Sequence, residues 1–418
     1  MIRGLYTALA VAAQPFLRRK LRRRGRAEPG YLHAIDERFG VYQGDAEPGA
    51  LWIHAVSLGE TRAAGIVMEH LRRLQPGLRV LLTHGTATGR TEGERWLRPG
   101  DAQAWLPWDT PKAVQRFLNH FQPAAGVMLE TEVWPNLVAA ASARGLPMAL
   151  ANARMSAKSL ANTLRFAALS RPAYAALSAV WAQTDDDARR FAQAGATVKG
   201  VYGNVKFDAT PDTSLLERGR AWRAMTPRPV VMFASSREGE EAEFIRVLET
   251  LGERAARVQW LVVPRHPQRF DEVASLVQRN GFEISRRSAW LHAPVAAPVW
   301  IGDSLGEMAF YFGMADCALL GGSFEPLGGQ NLIEAAACGC PVVMGPHTFN
   351  FAEAAERSAQ SGAALRVASL AQGVEQAMLL VADDAKRQAA VQAAREFTEA
   401  NRGAAEKTAQ AVLALLTR

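Results

Sequence analysis

The apolar positions of the chain recur in a regular order from residue 51 onward. Runs of strand length alternate with turns and with amphipathic, helix-compatible segments such as TPKAVQRFLNHF, residues 110–121. Nearly continuous apolar runs are typical of parallel strands that are covered by helices on both faces. The pattern therefore predicts a doubly wound α/β domain. Its strands are predicted at LWIHAV (51–56), LRVLLT (78–83), AQAWLP (102–107), AAGVMLE (124–130), LPMALAN (146–152) and LSAVWAQT (177–184).

The strand pattern stops at residues 203–229 and then starts again. This stretch is polar and contains prolines, as expected for a connection between domains. A second set of strands is predicted at PVVMFA (229–234), VQWLVVP (258–264), PVWIGD (298–303), DCALLGG (316–322) and CPVVMGP (340–346). The chain, with 418 residues of which 49% are hydrophobic, is long enough for two cores. We predict two Rossmann-like domains that face an interdomain cleft, with ligands at the carboxyl ends of both sheets. Their boundaries are predicted at 27–205 and 230–418, the latter with closing helices, joined by a linker at 206–229.

Residues 1–26 are predicted to associate with a membrane. The apolar segment LYTALAVAAQPFL, residues 5–17, is as a helix only about 20 Å long, against roughly 30 Å of hydrocarbon. Basic residues follow it, an order that favours retention on the cytoplasmic face over a cleaved signal peptide. A buried helix with a solvated basic tail is the alternative, and the sequence leaves open whether the segment spans the bilayer or lies on it. The basic residues are Arg18, Arg19, Lys20, Arg22, Arg23, Arg24 and Arg26.

The net charge of +7 is concentrated in this basic segment. Its seven cations account for the whole excess (7 − 7 = 0), so the rest of the chain is neutral. A nucleic-acid groove that extends over the fold would need a distributed positive charge. We therefore expect no nucleic-acid partner.

Several common chemistries lack their motifs. No G-x-G-x-x-G follows a predicted strand and no P-loop motif occurs, which argues against dinucleotide oxidoreduction and P-loop phosphoryl transfer. Cys317, Cys338 and Cys340 form neither an even disulfide set nor a C-x-x-C pair, so we expect a reducing compartment and buried, structural thiols. The acids of TDDDARRF, residues 184–191, are better explained as a capped helix start than as metal ligands.

The stretch GGSFEPLGGQNLIEAAACGCPVVMGP, residues 321–346, predicts an anion site. Gly328 and Gly329 stand directly before a helical segment, and a glycine-lined helix N-terminus offers N–H groups to a nucleotide phosphate. Asn331 and Glu334 are three residues apart on one helical face, where the carboxylate can accept hydrogen bonds from ribose hydroxyls. An ordinary capped helix with tight strand packing is the alternative.

Charged residues also follow other predicted strands. Arg265 and His266 lie directly after a strand in VVPRHPQRF, and arginine presents a bidentate fork to phosphate or carboxylate. The segment IGDSLGEM, residues 301–308, adds a turn near Gly306 and Glu307. In the first half of the chain, Glu60 follows the break at Ser57-Leu58-Gly59, Glu130 and Glu132 follow a strand, and Lys206 lies at the domain crossing.

Each of these charges alone is more typical of a solvated surface. Together they place carboxylates on one wall of the predicted cleft and basic groups on the other. A reaction between a neutral hydroxyl and an anionic donor requires such an arrangement.

Seven motifs together resemble the 3-deoxy-D-manno-octulosonic acid (Kdo) transferases of Gram-negative bacteria, from the N-terminus to about residue 360. The motifs are VSLGE, MLETEVWPN, GNVKFD, EGEE, PRHPQRF, GGQNLIEAAA and GPHTFNF. The resemblance implies a GT-B glycosyltransferase at the cytoplasmic face of the cell inner membrane. It implies transfer of Kdo from CMP-Kdo to a tetraacylated lipid A precursor (lipid IVA), with inner-membrane lipids as partners and without a metal or other cofactor.

The resemblance also assigns roles to single residues. It implies that the N-terminal domain binds the acceptor, with Ser57 and Gly59 in the acceptor-side turn, Glu60 as general base, and Glu130 and Lys206 as transition-state helpers. The implied contacts to CMP-Kdo in the C-terminal domain are Arg265, His266, Leu305, Gly306, Glu307, Gly328, Gly329, Asn331 and Glu334. The reaction expected is a single in-line displacement that inverts the anomeric carbon.

Two residues depart from the family pattern. Arg237 in SSREGEE and Gln330 in GGQN stand where the family often has histidine. Arginine keeps a positive donor and glutamine keeps hydrogen bonding, so we expect activity to survive.

Two other functions are compatible with the pattern of the sequence. One is a nucleotide-sugar epimerase of GT-B architecture that acts on a soluble UDP-sugar, and the other is a non-enzymatic membrane-surface sensor that binds CMP without turnover. The sequence does not define the number of Kdo residues transferred or the oligomeric state.

Overall fold

The protein forms two compact units in the computed structural model, which describes residues 2–417. The first unit contains the residues up to Asp208 and those from Arg402 onward, and the second contains Ala209–Asn401. The strands are β1 Leu51–Ala55, β2 Val80–His84, β3 Ala102–Trp105, β4 Ala125–Leu129, β5 Met148–Ala153, β6 Ala179–Ala182, β7 Val198–Val201, β8 Val230–Ser236, β9 Gln259–Pro264, β10 Ile284–Arg286, β11 Val299–Ile301, β12 Cys317–Leu320, β13 Val342–Met344 and β14 Ala364–Arg366.

The α-helices surround these strands in both units. They are α1 Ile2–Ala12, α2 Gln14–Ala27, α3 Leu58–Leu74, α4 Ala87–Glu94, α5 Pro111–Phe121, α6 Pro135–Ala143, α7 Ala157–Arg165, α8 Ala167–Ala175, α9 Asp185–Ala194, α10 Thr213–Ala224, α11 Glu240–Leu251, α12 Phe270–Arg279, α13 Met308–Met314, α14 Leu332–Ala337, α15 Ala352–Gln360, α16 Leu370–Ala382, α17 Asp384–Ala400 and α18 Ala404–Leu416.

Each unit is built on a parallel sheet. The strand order is β3-β2-β1-β4-β5-β6-β7 in the first unit and β10-β11-β9-β8-β12-β13-β14 in the second. The paired strands run parallel, with β1 between β2 and β4 and β8 between β9 and β12. The order therefore reverses between β1 and β4 and again between β8 and β12, and parallel sheets bind ligands outside the carboxyl ends of strands at such switch points.

The apolar runs form strands because both faces of each sheet are buried. In β1, Leu51 and Ile53 belong to the core cluster that includes residues of α3 and α18, whereas Trp52 belongs to the cluster that includes residues of α5. Successive strand side chains point to opposite faces, so a strand with a helical layer on each side is apolar throughout. The predicted two-domain parallel α/β architecture is confirmed, whereas the arrangement of the two units around a cleft stays a prediction.

The sequence pattern predicts the central strands and misses three at the sheet edges. These are β7, β10 and β14, each an outermost strand of its sheet. They are only three or four residues long and include partly buried or exposed positions, for example the alternating exposure along β7. A strand that covers one neighbour has no need of a continuous apolar run, so the rule for buried strands does not detect it.

The predicted linker at 206–229 contains regular structure. Helix α10 lies within it and packs on α13, and its side chains Leu216 and Trp222 are buried. The backbone of the two helices approaches closely at Gly219, where a Cβ atom would lie 2.1 Å from the carbonyl oxygen of Phe310. A glycine contact leaves no apolar signal in the sequence, which explains why the segment reads as a connection.

The C-terminal helix α18 packs with the first unit. It contacts α3, and the Asp208 carboxylate accepts hydrogen bonds from the amides of Gly403 (2.6 Å) and Ala405 (2.7 Å). The predicted boundaries placed this helix in the C-terminal domain, because chain order alone suggests that adjacent elements share a unit. The second unit is thus inserted into the first.

Helix α1 is attached to the first unit through polar contacts, whereas Leu21 of α2 is buried in an apolar cluster with Tyr31 and Trp105. The Tyr6 hydroxyl donates to Asp109 (2.9 Å), and Thr7 donates to Asn136 (3.0 Å). None of the residues of α1 is buried. Within residues 2–417, no helix combines the length and the apolar character that crossing a membrane requires.

Candidate active site

Glu60 lies in the first turn of α3, directly beyond the carboxyl end of β1. Ser57 is the N-cap residue, and its hydroxyl accepts from the Glu60 amide (3.4 Å) and donates to Glu60 Oε1 (2.9 Å). Glu60 Oε2 accepts from the amide of Val56 (2.9 Å). The carboxylate thus stabilises the helix start, and it retains acceptor capacity because each carboxylate oxygen has two lone pairs.

The environment of Glu60 raises its pKa to about 7. Burial is the main cause, because it disfavours the charged form, and the negative charges of Glu130 and Glu132 act in the same direction. The hydrogen bond from Val56 opposes the shift. A carboxylate that titrates near neutral pH suits general base catalysis, where the best pKa is close to the working pH.

Glu130 directly follows β4, on the other side of the switch point. Its backbone is in the left-handed region (φ 59°), which is uncommon for residues other than glycine. Its amide donates to the carbonyl of Ala151 (3.0 Å), and its carbonyl accepts from the amide of Arg154 (3.3 Å). The side chain is buried and forms ion pairs with Lys206 Nζ (2.8 Å) and Arg154 Nε (2.9 Å).

These ion pairs keep Glu130 ionised. Burial alone raises its pKa, but the positive charges of Lys206 and Arg154 outweigh it, and the net pKa lies below the ordinary value. Glu60 and Glu130 therefore differ in protonation behaviour although both are partly or fully buried. Such a separation of pKa values within one site is typical of carboxylates with different chemical roles.

The segment that carries Lys206 is positioned by a hydrogen bond to Asn152, which sequence analysis missed. Lys206 lies on the short 3₁₀ helix Val205–Asp208, and the amide of Val205 donates to Asn152 Oδ1 (3.2 Å). Asn152 is buried near the end of β5 and also has a left-handed backbone (φ 48°). Asn152 and Arg154 were detectable in principle, since both lie at the end of a predicted strand.

In the second unit, the predicted donor residues occupy four neighbouring strand ends. The turn with Leu305, Gly306 and Glu307 follows β11, and Arg265 and His266 follow β9. Arg237 follows β8 and the glycine-rich loop of residues 321–331 follows β12. Since β11, β9, β8 and β12 are consecutive in the sheet, these segments lie along one edge.

Arg265 and Gln330 are joined by a hydrogen bond. Arg265 Nε donates to Gln330 Oε1 (3.1 Å), and the Arg265 amide donates to the carbonyl of Ser236 (3.0 Å). The pKa of His266 lies below its ordinary value because of burial and the positive charges of Arg237 and Arg265. The lowered pKa favours the neutral form of His266. Arg237 and Gln330, the two departures from the family pattern, both lie within this cluster.

The glycine-rich loop differs in detail from the prediction. Gly328 and Gly329 do not open directly into a helix, because α14 begins at Leu332 and has only six residues. The amides of Gly329 and Gln330 donate to the carbonyls of Gly322 (2.7 Å) and Gly321 (3.1 Å), so these groups serve the loop itself.

Glycine is required within this loop. Gly322, Gly328 and Gly329 have left-handed backbones, and a Cβ atom on Gly328 would lie 2.4 Å from Asn350 Nδ2.

Asn331, at the end of the loop, is the N-cap residue of α14, with a buried Oδ1 for which the described residues offer no hydrogen-bond partner. Glu334 lies partly buried in the first turn of α14.

Glu307 and Leu305 have contrasting environments. Glu307 accepts from Arg218, from Arg287 (2.9 Å) and from Ser304 (2.5 Å), so its carboxylate fixes the turn after β11. Burial raises the pKa of Glu307, but the hydrogen bond from Ser304 and the two arginine charges lower it overall. Leu305 is 73% exposed at the same turn.

Other predictions about charged and sulfur-containing residues are confirmed. Thr184 is the N-cap residue of α9 and its hydroxyl accepts from the amide of Asp187 (3.0 Å), as expected for a capped helix start. Cys317, Cys338 and Cys340 are free and buried. Burial raises the pKa of each thiol, which disfavours the nucleophilic thiolate form.

The fold resembles that of proteins with GT-B-like architecture. One solved structure, a UDP-GlcNAc 2-epimerase from Neisseria meningitidis bound to UDP-GlcNAc, is similar with a TM-score of 0.58. The similarity covers 88% of this chain and 99% of that chain at 12% sequence identity, which shows a shared fold. The two parallel α/β units thus have a GT-B-like fold.

The sequence comparisons define the family. The model of the 3-deoxy-D-manno-octulosonic-acid transferase (kdotransferase) family matches residues 33–209. The chain is 47% identical to a 3-deoxy-D-manno-octulosonic acid transferase from Bordetella pertussis, over 99% of both proteins. It is 32% identical to that of Haemophilus influenzae, over 97% of both. The chain belongs to the 3-deoxy-D-manno-octulosonic acid transferase family and is a glycosyltransferase.

The pKa of Glu130 is lowered and that of Glu132 is raised, so removal of the two charges is expected to affect the free energy of unfolding differently. The pKa of Glu130 is lowered from its ordinary 4.5, so its ionisation stabilises the fold above that pH and the contribution is lost as the pH falls through the lowered value. We expect Glu130→Gln to reduce the free energy of unfolding at pH 7 by about 1–3 kcal/mol, because hydrogen bonds to a charged group are lost, with a smaller difference at acidic pH. Urea unfolding measured between pH 3 and about pH 8 checks this.

Glu132 provides the matched control. Its pKa is raised by burial, which outweighs the lowering influence of Trp134, so the folded state disfavours its charge. Glu132→Gln is expected to leave the stability at pH 7 unchanged or higher. A Glu130→Gln protein as stable as the wild type at pH 7 contradicts a stabilising ion pair.

Proposed function

We propose that the protein transfers Kdo from CMP-Kdo to lipid IVA by a metal-independent, inverting displacement. The observation that carries the proposal is the separation of roles at the first switch point. Glu60 titrates near pH 7, whereas Glu130 beside it is kept ionised by Lys206 and Arg154. A proton acceptor poised near neutral pH is what activation of a sugar hydroxyl requires.

In the proposed reaction, Glu60 accepts the proton of the acceptor hydroxyl. The hydroxyl oxygen forms a bond to the anomeric carbon of Kdo while the bond from that carbon to the CMP phosphate oxygen breaks. Attack and departure occur in line, so the configuration at the carbon inverts. Glu130 and Lys206 act as helpers that fix the charge distribution next to Glu60, and Ser57 and Gly59 form the acceptor-side turn.

The second unit is proposed to bind the donor. CMP-Kdo carries a phosphate and a carboxylate, and Arg265 and Arg237 supply positive charge at the strand ends. The neutral imidazole of His266 supplies hydrogen bonding without a further charge. The turn at Leu305, Gly306 and Glu307 and the loop with Gly328, Gly329, Asn331 and Glu334 complete the proposed donor site.

The direct test of the function is a transfer assay. The purified protein is incubated with CMP-Kdo generated in situ and with lipid IVA, and the lipid is analysed by mass spectrometry. We expect a mass increase by one or more Kdo residues, in the presence of a chelator as well as without it. UDP-sugars serve as control donors, and epimerisation of a UDP-sugar or an unchanged lipid would refute the proposal.

The pH dependence of transfer tests the role of Glu60. Because only the ionised carboxylate accepts a proton, we expect kcat to rise as the pH increases through about 7, where Glu60 loses its proton. Glu60→Gln is expected to reduce kcat by about 10²- to 10⁴-fold and to remove this rise. Its affinity for CMP, measured by calorimetry, should stay close to that of the wild type. Substantial turnover of the variant would eliminate Glu60 as the base.

The N-terminal helices are proposed to hold the protein on the cytoplasmic face of the inner membrane. Apolar side chains on α1 and in the first turn of α2 are exposed, among them Leu5 (64%), Leu9 (63%) and Phe16 (76%). The basic residues of α2 follow directly, and each contributes about 1 kcal/mol of attraction to an anionic membrane surface. Apolar side chains next to a basic segment are typical of helices that lie in the membrane interface.

This proposal predicts a loss of membrane binding when the apolar side chains are replaced. The triple variant Leu5→Ser, Leu9→Ser, Phe16→Ser is tested by flotation with vesicles of phosphatidylethanolamine and phosphatidylglycerol. Its membrane-bound fraction should be at least about tenfold smaller than that of the wild type, because burial of each apolar side chain in the membrane contributes about 1.5–3 kcal/mol. The control is Leu379→Ser on α16, where the leucine is 59% exposed in the second unit. Equal flotation of both variants would disprove the assignment.

A further inference from the structure

Glu240 is a fully buried carboxylate next to the donor cluster, and neither the sequence patterns nor the proposed mechanism assigns it a role. It is the first residue of α11 and is 0% exposed. Its Oε2 accepts from the amides of Arg237 (2.9 Å) and Gly322 (2.7 Å), and its Oε1 accepts from the amide of Phe324 (3.2 Å). One side chain therefore connects the strand ends of β8 and β12, the two strands at the switch point.

Carboxylate chemistry is needed for this set of contacts. An ionised carboxylate is an acceptor only, so it can receive several N–H groups at once, whereas glutamine has one acceptor oxygen and an NH₂ group that would face the same donors. Burial raises the pKa of Glu240, and the amide hydrogen bonds oppose the shift. The N–H groups thus compensate the charge that burial disfavours.

The contacts of Glu240 extend through the loop to Arg265. The carbonyl of Gly322 accepts from the amide of Gly329 (2.7 Å), and the carbonyl of Gly321 accepts from the amide of Gln330 (3.1 Å). Gln330 in turn accepts from Arg265 Nε. The position of the arginine side chain is therefore linked to the carboxylate by a series of hydrogen bonds.

The glycine-rich loop requires fixed contacts to stay in one conformation, because its glycine backbone can adopt many conformations. Gly322, Gly328 and Gly329 all have left-handed backbones, and glycine has access to many more conformations than other residues. A loop that must be ordered at the moment of binding loses affinity, whereas a pre-ordered loop does not.

We infer that Glu240 is a positioning residue for the donor site, which acts through the backbone of Arg237 and Gly322 and without touching the donor. This inference rests on the proposed donor site and adds to it the group that keeps the site ordered before CMP-Kdo arrives.

The neighbouring Glu241 offers a matched control. It is also buried, at 2% exposure, and it lies one residue further along the same helix. Its carboxylate binds Arg269 (2.8 Å) and the hydroxyl of Ser236 (2.9 Å). The variant Glu241→Gln therefore shows how much stability and donor affinity are lost when a buried carboxylate of α11 that does not contact the glycine-rich loop is neutralised.

The experiment compares full-length Glu240→Gln and Glu241→Gln proteins. We expect Glu240→Gln to raise the Kd for CMP and the KM for CMP-Kdo by about tenfold or more, because hydrogen bonds to a charged group are lost. The KM for the lipid acceptor should stay unchanged. Hydrogen exchange at the amides of Gly322 and Phe324, measured without ligand, should accelerate in Glu240→Gln and not in Glu241→Gln. Melting temperatures report the general loss of stability in both.

The outcomes separate this inference from the proposed function. If the wild type binds CMP, Arg265→Ala does not, and Glu240→Gln binds as tightly as the wild type, then the role of Glu240 is wrong while the donor site stands. Equal effects of both glutamine variants on the KM for CMP-Kdo also overturn it. A wild type that fails to bind CMP overturns both proposals. If Glu240→Gln does not fold, Glu240→Asp and Glu241→Asp decide by the same measurements, since aspartate keeps the charge and shortens the reach.

Discussion

The parallel direction of the strands is the constraint on which the candidate site depends. In a parallel sheet, the carboxyl ends of the strands lie at one edge, and the loops that leave them diverge where the strand order reverses. In this protein the reversals fall between β1 and β4 and between β8 and β12. Glu60 and Glu130 follow the first pair of strands, and Arg237 and the glycine-rich loop follow the second pair. The candidate residues are far apart in sequence, and the order of the strands brings them together within each unit.

Three buried or partly buried glutamates show how different partners give the same side chain different protonation behaviour and different contacts. Glu60 receives hydrogen bonds from Ser57 and Val56 and forms no ion pair with any of residues 2–417, so burial dominates and its pKa rises towards neutrality. Glu130 is buried more deeply, yet two cations keep it ionised. Glu240 has backbone amides as partners and serves the loop geometry. Depth of burial alone does not predict these differences, because they depend on the hydrogen-bond and ion-pair partners of each carboxylate.

The sequence predicts much of this architecture because apolar runs mark strands that are buried on both faces, and because charged residues directly after such runs must lie at the sheet edge. Glu60, Glu130 and Arg265 are found in this way. The edge strands β7, β10 and β14 escape detection because they are only three or four residues long and include partly buried or exposed positions. Contacts between distant segments leave no local pattern: the link from Asn152 to Val205 and that from Glu240 to Gly322 join residues 53 and 82 positions apart. Helix α10 is missed because its closest contact is made by a glycine.

The return of the chain to the first unit has a consequence for its biosynthesis. Helix α18 supplies Ala405, Ala409 and Val412 to the same apolar cluster as strands β1 and β4. During translation, the first unit is exposed outside the ribosome with a gap in that cluster while the second unit is being made. The second unit, whose segments are contiguous, has all its strands available earlier, although it begins later in the chain. The first unit, although its synthesis begins first, is thus completed last, and its apolar cluster stays incomplete until α18 has been made. Transiently exposed apolar surface of this kind favours aggregation.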